Sequence, residues 1–273
     1  MKKIAKRFST TIIHHSLLII HFISVIQNIQ SLYVAHTPLK SIKKEKIMKE
    51  NRKKALLMIT LIGIFCIVMA LIDGVLKANY FLKSVIKLVL FLILPALYAF
   101  IDKEIKIKKL FIPDKKGIKL ALVLCILVYT VILGGYLLLK NVFDFSQITG
   151  ALTQNVGVTG RNFIYVSLYI SFVNSLLEEF FFRGFAFLTL KRIAGRKFAY
   201  IFSAAVFAIY HLAMMIGWFR PDVFIIIMAG IFAGGLIFNY LNEKSESIYP
   251  SWFVHMFANF AINTVGFILF GIV

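Results

Sequence analysis

The chain has 273 residues, 60% of them hydrophobic and only 16% charged, with a formal net charge of +19. Soluble domains are about 45–50% apolar and about 25% charged, so this composition excludes a disordered chain, a disulfide scaffold and an ordinary soluble enzyme. The basic residues flank apolar runs rather than forming a stripe, which is the pattern of membrane topology and excludes nucleic acid as a partner.

Residues 1–47 fit poorly with the rest. The stretch 12–34 is apolar but holds His14, His15, His21, Gln27, Asn28 and Gln30, which are expensive in lipid. It reads as a doubtful N-terminal extension, with Met48 as an alternative start. From there the sequence predicts an all-α, multi-pass transmembrane helical bundle. Apolar runs fall at 55–76, 84–101, 118–139, 162–190, 198–216, 223–242 and 250–272. Each is close to the ~20 residues that cross the hydrocarbon core as a helix. None alternates like a barrel strand, and only helices satisfy their backbone groups within lipid. Residues 48–160 then form N-terminal transmembrane helices and 161–273 a second, site-bearing bundle. Arg183-Gly184, inside the long fourth run, suggests a bend or an extension out of the membrane. Cys66 and Cys125 read as small buried hydrophobes.

Loop charge orients the bundle. One side carries the basic cluster at 40–54, then Lys103, Lys106, Lys108, Lys109, Lys115, Lys116 and Lys119, then Lys191, Arg192, Arg196, Lys197 and Lys244. The other offers Lys77, Lys83, Lys140, Arg161 and Arg220. The positive-inside rule makes the rich side cytosolic, the residues before 55 cytosolic and the C-terminus external, in a plasma membrane.

The informative residues are ionisable ones inside spans, each costing ~2.5–3.5 kcal/mol or more at a helix centre. Glu178 and Glu179 are adjacent in the fourth run, His211 lies in the fifth and His255 in the seventh. Glu179 and Arg183 are four apart and share a helix face, whereas Glu178 is rotated about 100° away, with Asn174 one turn before it. His255 and Asn259 share the same spacing, with Asn263 beyond. At 1.5 Å per residue Glu178 lies about 20 Å from Lys191, His211 about 21 Å from Lys197 and His255 about 16 Å from Lys244, so three helices bring polar groups to a similar depth. The run Phe180-Phe181-Phe182 reads as lipid-facing or packing, and Asp73 as interfacial.

Carboxylate and imidazole around a buried water form a hydrolase arrangement. A second histidine with an asparagine one turn away offers donors for an oxyanion. The alternative is one divalent metal such as zinc, held by Glu178, His211 and His255 with a position open for water. No HExxH, GxSxG or intramembrane aspartate pair is present.

Glu178-Glu179-Phe-Phe-Phe-Arg183, Phe207-Ala-Ile-Tyr-His211 and His255-Met-Phe-Ala-Asn259 resemble the EExxxR, FxxxH and HxxxN motifs of the CAAX protease and bacteriocin-processing (CPBP, or Abi) family. The order and spacing match over about residues 160–270. The resemblance implies an intramembrane endopeptidase in which Glu178, assisted by His211, activates water. It implies that His255 and Asn259 form the oxyanion site, and that Glu179 and Arg183 brace the helix. The implied partners are a peptide or membrane-protein substrate and the lipid bilayer. A non-catalytic membrane immunity or scaffold protein of the same fold is the runner-up. A transporter ranks last, because no internal repeat of the polar pattern precedes residue 160.

Overall fold

The structure is a computed structural model that describes Ser24 and residues 41–76, 78–102, 107–215 and 218–273. Most of the doubtful extension therefore lies outside the described residues. The chain divides into two units, Met1–Lys53 and Lys54–Val273. In the first, residues 41–50 are exposed helix, with Lys49 pairing Glu45 one turn away at 2.8 Å.

All regular structure among the described residues is helical, and seven helices are long and apolar enough to cross a membrane. They are α1 (Ser41–Gly74), α2 (Tyr80–Ile101), α4 (within Lys115–Leu139), α6 (Phe163–Ile193), α7 (Arg196–Met215), α8 (Pro221–Ser245) and α9 (Tyr249–Leu269). The short α3 (Ile107–Leu110) and α5 (Ser146–Val156) lie between them. The spans coincide with the seven apolar runs, except that α1 starts well before residue 55. Large apolar side chains such as Phe81, Phe100, Leu138, Tyr165 and Ile226 are exposed. This is the inversion expected where lipid is the solvent.

Local sequence accounts for the ends. Asn79 accepts from the Leu82 N–H at 2.9 Å and Asp114 from the Gly117 N–H at 2.9 Å, capping α2 and α4. Pro221 and Pro250 sit in the first turns of α8 and α9, where a missing N–H costs nothing. In α2, Pro95 follows a π-helical stretch, Val89–Ile93. A proline ring clashes with the carbonyl four residues back, and a widened turn just before it relieves that clash.

The interior of the second unit is aromatic. Phe91 of α2 stacks on Phe181 of α6 with centroids 4.1 Å apart and planes 7° apart, and meets Phe182 and Tyr210 edge-on or tilted. The phenylalanine run of α6 is thus core, not lipid face. The Asp73 side chain is 4% exposed and bound to Lys83 at 2.7 Å across the α1–α2 turn.

Close helix approach depends on small residues. A Cβ at Gly266 of α9 would stand 2.3 and 2.8 Å from two ring carbons of Phe163. Gly266→Ala is expected to cost about 1–3 kcal/mol, the range for overpacking, and to lower the melting temperature in detergent; an unchanged melting curve would refute this packing. At the other end, Leu110 fits over Gly184, and its carbonyl accepts from the Ile248 N–H (2.9 Å) and the Ser247 hydroxyl (3.1 Å). Beside this contact Lys109 pairs with Glu246 and holds that carboxyl below the usual carboxylate range. The α6 helix runs on through Arg183-Gly184 without a break, as π-helix.

Candidate active site

The site is built on α6, α7 and α9, with one further side chain from α2. Residues Ile170–Asn174 of α6 are π-helical, Ser175–Glu178 α-helical and Glu179–Leu188 π-helical again. Glu178 and Glu179 straddle the second junction. A π turn holds more residues than an α turn, so neighbouring side chains diverge by less than the ~100° per residue of an α-helix. Both carboxylates consequently reach the same imidazole. Glu179 Oε1 lies 2.9 Å from His255 Nδ1, and Glu178 Oε2 lies 3.7 Å from His255 Nε2.

His211 completes the group. Its Nδ1 lies 2.8 Å from the Phe207 carbonyl oxygen one turn back in α7, and its Nε2 lies 3.7 Å from Glu178 Oε2. The carbonyl can only accept, so Nδ1 carries the proton and Nε2 presents a lone pair, a tautomer assigned from this hydrogen bond. Glu178 is 1% exposed, and among the described residues its Oε2 has no hydrogen-bond partner. A buried carboxylate oxygen without a donor is costly, and the two imidazole Nε2 atoms at 3.7 Å are too distant for a direct bond. A water or a polar substrate atom fits that gap chemically.

The other oxygen of Glu178 is fully engaged. Oε1 accepts from Lys87 Nζ of α2 at 2.8 Å and from Asn174 Nδ2 at 3.0 Å, while Lys87 also donates to Asn174 Oδ1 at 2.5 Å. Lys87 is 6% exposed, its ammonium 5.0 Å from the Tyr210 ring centre and 5.7 Å from that of Phe91. Sequence patterning did not point to Lys87. Its signal was nonetheless present: a lone cation within the second apolar run, one turn past Lys83, meets the same intramembrane criterion as the acids and histidines.

Glu179 and Arg183 pair as the spacing predicts, Oε2 to Nε at 3.4 Å, both without exposure. Among the described residues the guanidinium has no hydrogen-bond partner, and it lies 4.1 Å from the Phe207 ring centre and 5.0 Å from that of Phe238. Aromatic faces thus take the place of polar partners. Asn259 donates from Nδ2 to the Ile170 carbonyl at 3.2 Å, and Asn263 to Ser167 O at 3.1 Å and Ser171 Oγ at 3.0 Å. These two asparagines fasten α9 to α6. Asn259 keeps a second N–H on the same nitrogen. The structure therefore brings Glu178, Glu179, Arg183, His211 and His255 into one contiguous cluster, with Asn259 one helical turn away on α9.

A divalent metal fits this set poorly. Among the described residues no group of three or more His, Cys, Asp and Glu side chains is arranged to hold one. The carboxylates of Glu178 and Glu179 are already matched by the cations of Lys87 and Arg183. A further doubly charged ion would sit uncompensated in an apolar interior, where each unpaired charge is heavily penalised. Purified protein is accordingly expected to contain little zinc, and chelation to leave its melting temperature unchanged; a melting point restored by one equivalent of zinc after chelation would overturn this.

Residues 160–261 match the model of the type II CAAX prenyl endopeptidase Rce1-like family. That interval contains all three motifs, and the resemblance they carry is borne out by the match. No curated protein and no solved structure matches the chain.

Proposed function

We propose that this chain is a multi-pass intramembrane endopeptidase that hydrolyses a peptide bond with a water activated by Glu178. The family match implies CAAX-type protease activity on a peptide or protein within a membrane. The observation that carries the residue-level reading is the partnerless Oε2 of Glu178, 3.7 Å from the Nε2 atoms of both His211 and His255. Glu178 Oε2 and the lone pair of His211 Nε2 are both acceptors and need protons between them, and a water supplies two.

In this reading the water donates one proton toward Glu178 Oε2, and its oxygen attacks the substrate carbonyl carbon. As the new C–O bond forms, the proton passes to Glu178 and the carbonyl oxygen becomes an oxyanion. His211 accepts the other water hydrogen and orients the lone pair. The oxyanion meets the free N–H of Asn259, and His255 when its Nε2 carries a proton, with Glu179 holding the ring from behind. The C–N bond then breaks as the proton on Glu178 moves to the departing amine nitrogen. The buried rings of Phe91, Phe181, Phe182 and Phe207 give the site an apolar flank that disfavours bulk water. Basic residues at the α6–α7 end, among them Lys191, Arg192 and Arg196, support an orientation with that end cytosolic and cleavage near the cytosolic face.

The test is direct. Purified protein in proteoliposomes is incubated with a farnesylated CaaX peptide and with the same peptide unprenylated, and the products are weighed by mass spectrometry. Cleavage of either fits the proposal. Binding of both without cleavage would replace it with the non-catalytic scaffold reading.

A further inference from the structure

Lys87 belongs to none of the three motifs and takes no part in the bond-making steps above. It comes from α2, outside the segment that carries the family match, and yet it makes the shortest contacts to Glu178. We infer that Lys87 is a positioning residue that fixes which oxygen of Glu178 faces the imidazoles and supplies the counter-charge that a metal supplies in a metallopeptidase. This rests on the hydrolase reading of the site.

The geometry is a closed triangle. Lys87 Nζ and Asn174 Nδ2 both donate to Oε1, and Lys87 also donates to Asn174 Oδ1. Oε2 receives no donor. The terminal torsion of a glutamate is broad and roughly two-fold, so an unrestrained carboxylate can present either oxygen or turn edge-on. Two donors on one oxygen and none on the other remove that freedom. The ammonium also balances the Glu178 charge through Oε1, leaving Oε2 to face the two Nε2 atoms. The rings of Tyr210 and Phe91 flank the Lys87 ammonium. A compact point charge on a long stem suits that position better than a planar guanidinium.

A merely structural α2–α6 ion pair would behave differently. Its loss would reduce the folded fraction but leave the turnover of each folded molecule intact. A positioning role predicts that Lys87→Met lowers kcat per folded molecule by ~100-fold, the cost of a small misplacement of a reacting group, with KM little changed. Lys87→Arg, which restores a cation, is expected to recover part of that loss. Asn174→Ala leaves the Lys87–Glu178 pair in place and so serves if Lys87→Met does not fold; it too is expected to lower kcat by ~10-fold at constant KM. The peptide that the wild type cleaves is the probe, and folded protein is counted by size-exclusion chromatography. Wild-type kcat in folded Lys87→Met, an Arg variant no better than Met, or wild-type kcat in Asn174→Ala would each overturn the inference. A wild-type protein that cleaves neither peptide would instead take down the hydrolase reading, and this inference with it.

Discussion

Glu178→Gln is expected to abolish peptide cleavage while the protein still inserts. A positioned general base contributes ~10²–10⁴-fold, so residual turnover should fall at least that far. The amide keeps the volume of the carboxylate and can still accept from Lys87 on its oxygen. It cannot take a proton from water at the other end. Glu178→Asp separates charge from reach. It keeps a carboxylate for Lys87 but withdraws it by one methylene from His211 and His255, which lie 3.7 Å away in the wild type. Its activity should also fall by ~10²-fold or more, because reacting groups tolerate little displacement. Initial rates on proteoliposomes would measure both. Full activity in Glu178→Gln would eliminate this carboxylate as the base.

Arg183→Met should produce the largest loss of stability. Arg183 and Glu179 are both without exposure, and the guanidinium rests on the Phe207 ring at 4.1 Å. Removing the cation leaves a buried carboxylate with His255 as its one partner among the described residues, and breaking a buried pair from one side costs about 3–5 kcal/mol. Lysine should rescue little, because it lacks the flat cation that lies against Phe207 and Phe238. Glu179→Gln in the same chain should recover part of the loss by removing the stranded charge. Thermal unfolding in detergent of the wild type, Arg183→Met, Arg183→Lys and the Arg183→Met, Glu179→Gln double variant measures these differences. An Arg183→Met variant as stable as the wild type would show that the pair is dispensable.

The two substitutions probe different parts of one charge arrangement. Glu178 and Glu179 each have a cation from a separate position, Lys87 from α2 and Arg183 from the next turn of α6. The histidine between them is hydrogen-bonded to Glu179 at 2.9 Å and faces Glu178 at 3.7 Å. Electrical balance allows two carboxylates and two cations to share an apolar interior, and the widened turns of α6 bring adjacent glutamates to a single ring.

The span pattern was legible because lipid imposes one rule on every residue of a crossing helix: an apolar surface along about twenty positions. The grouping of Glu178, His211 and His255 was legible because ionisable residues are so scarce in spans that each stands out. The Glu179–Arg183 pair followed from helical spacing alone. Other features followed no such local rule. A phenylalanine run is equally apolar whether it faces lipid or core, and only the packing of Phe91 on Phe181 decided for the core. Asp73 lies near a helix end, and only the fold showed that Lys83 across the turn is its partner.

The amino-acid sequence by itself determined a helical membrane bundle and named the acid, imidazole and amide groups of its candidate site, because helix period and the cost of charge in lipid act locally along the chain. Only the tertiary structure decided which groups meet. The Lys87 contact spans 91 residues from Glu178, and the two π stretches of α6 alter the face on which each carboxylate emerges. Both depend on how one helix packs against another, which no periodicity within a single helix encodes.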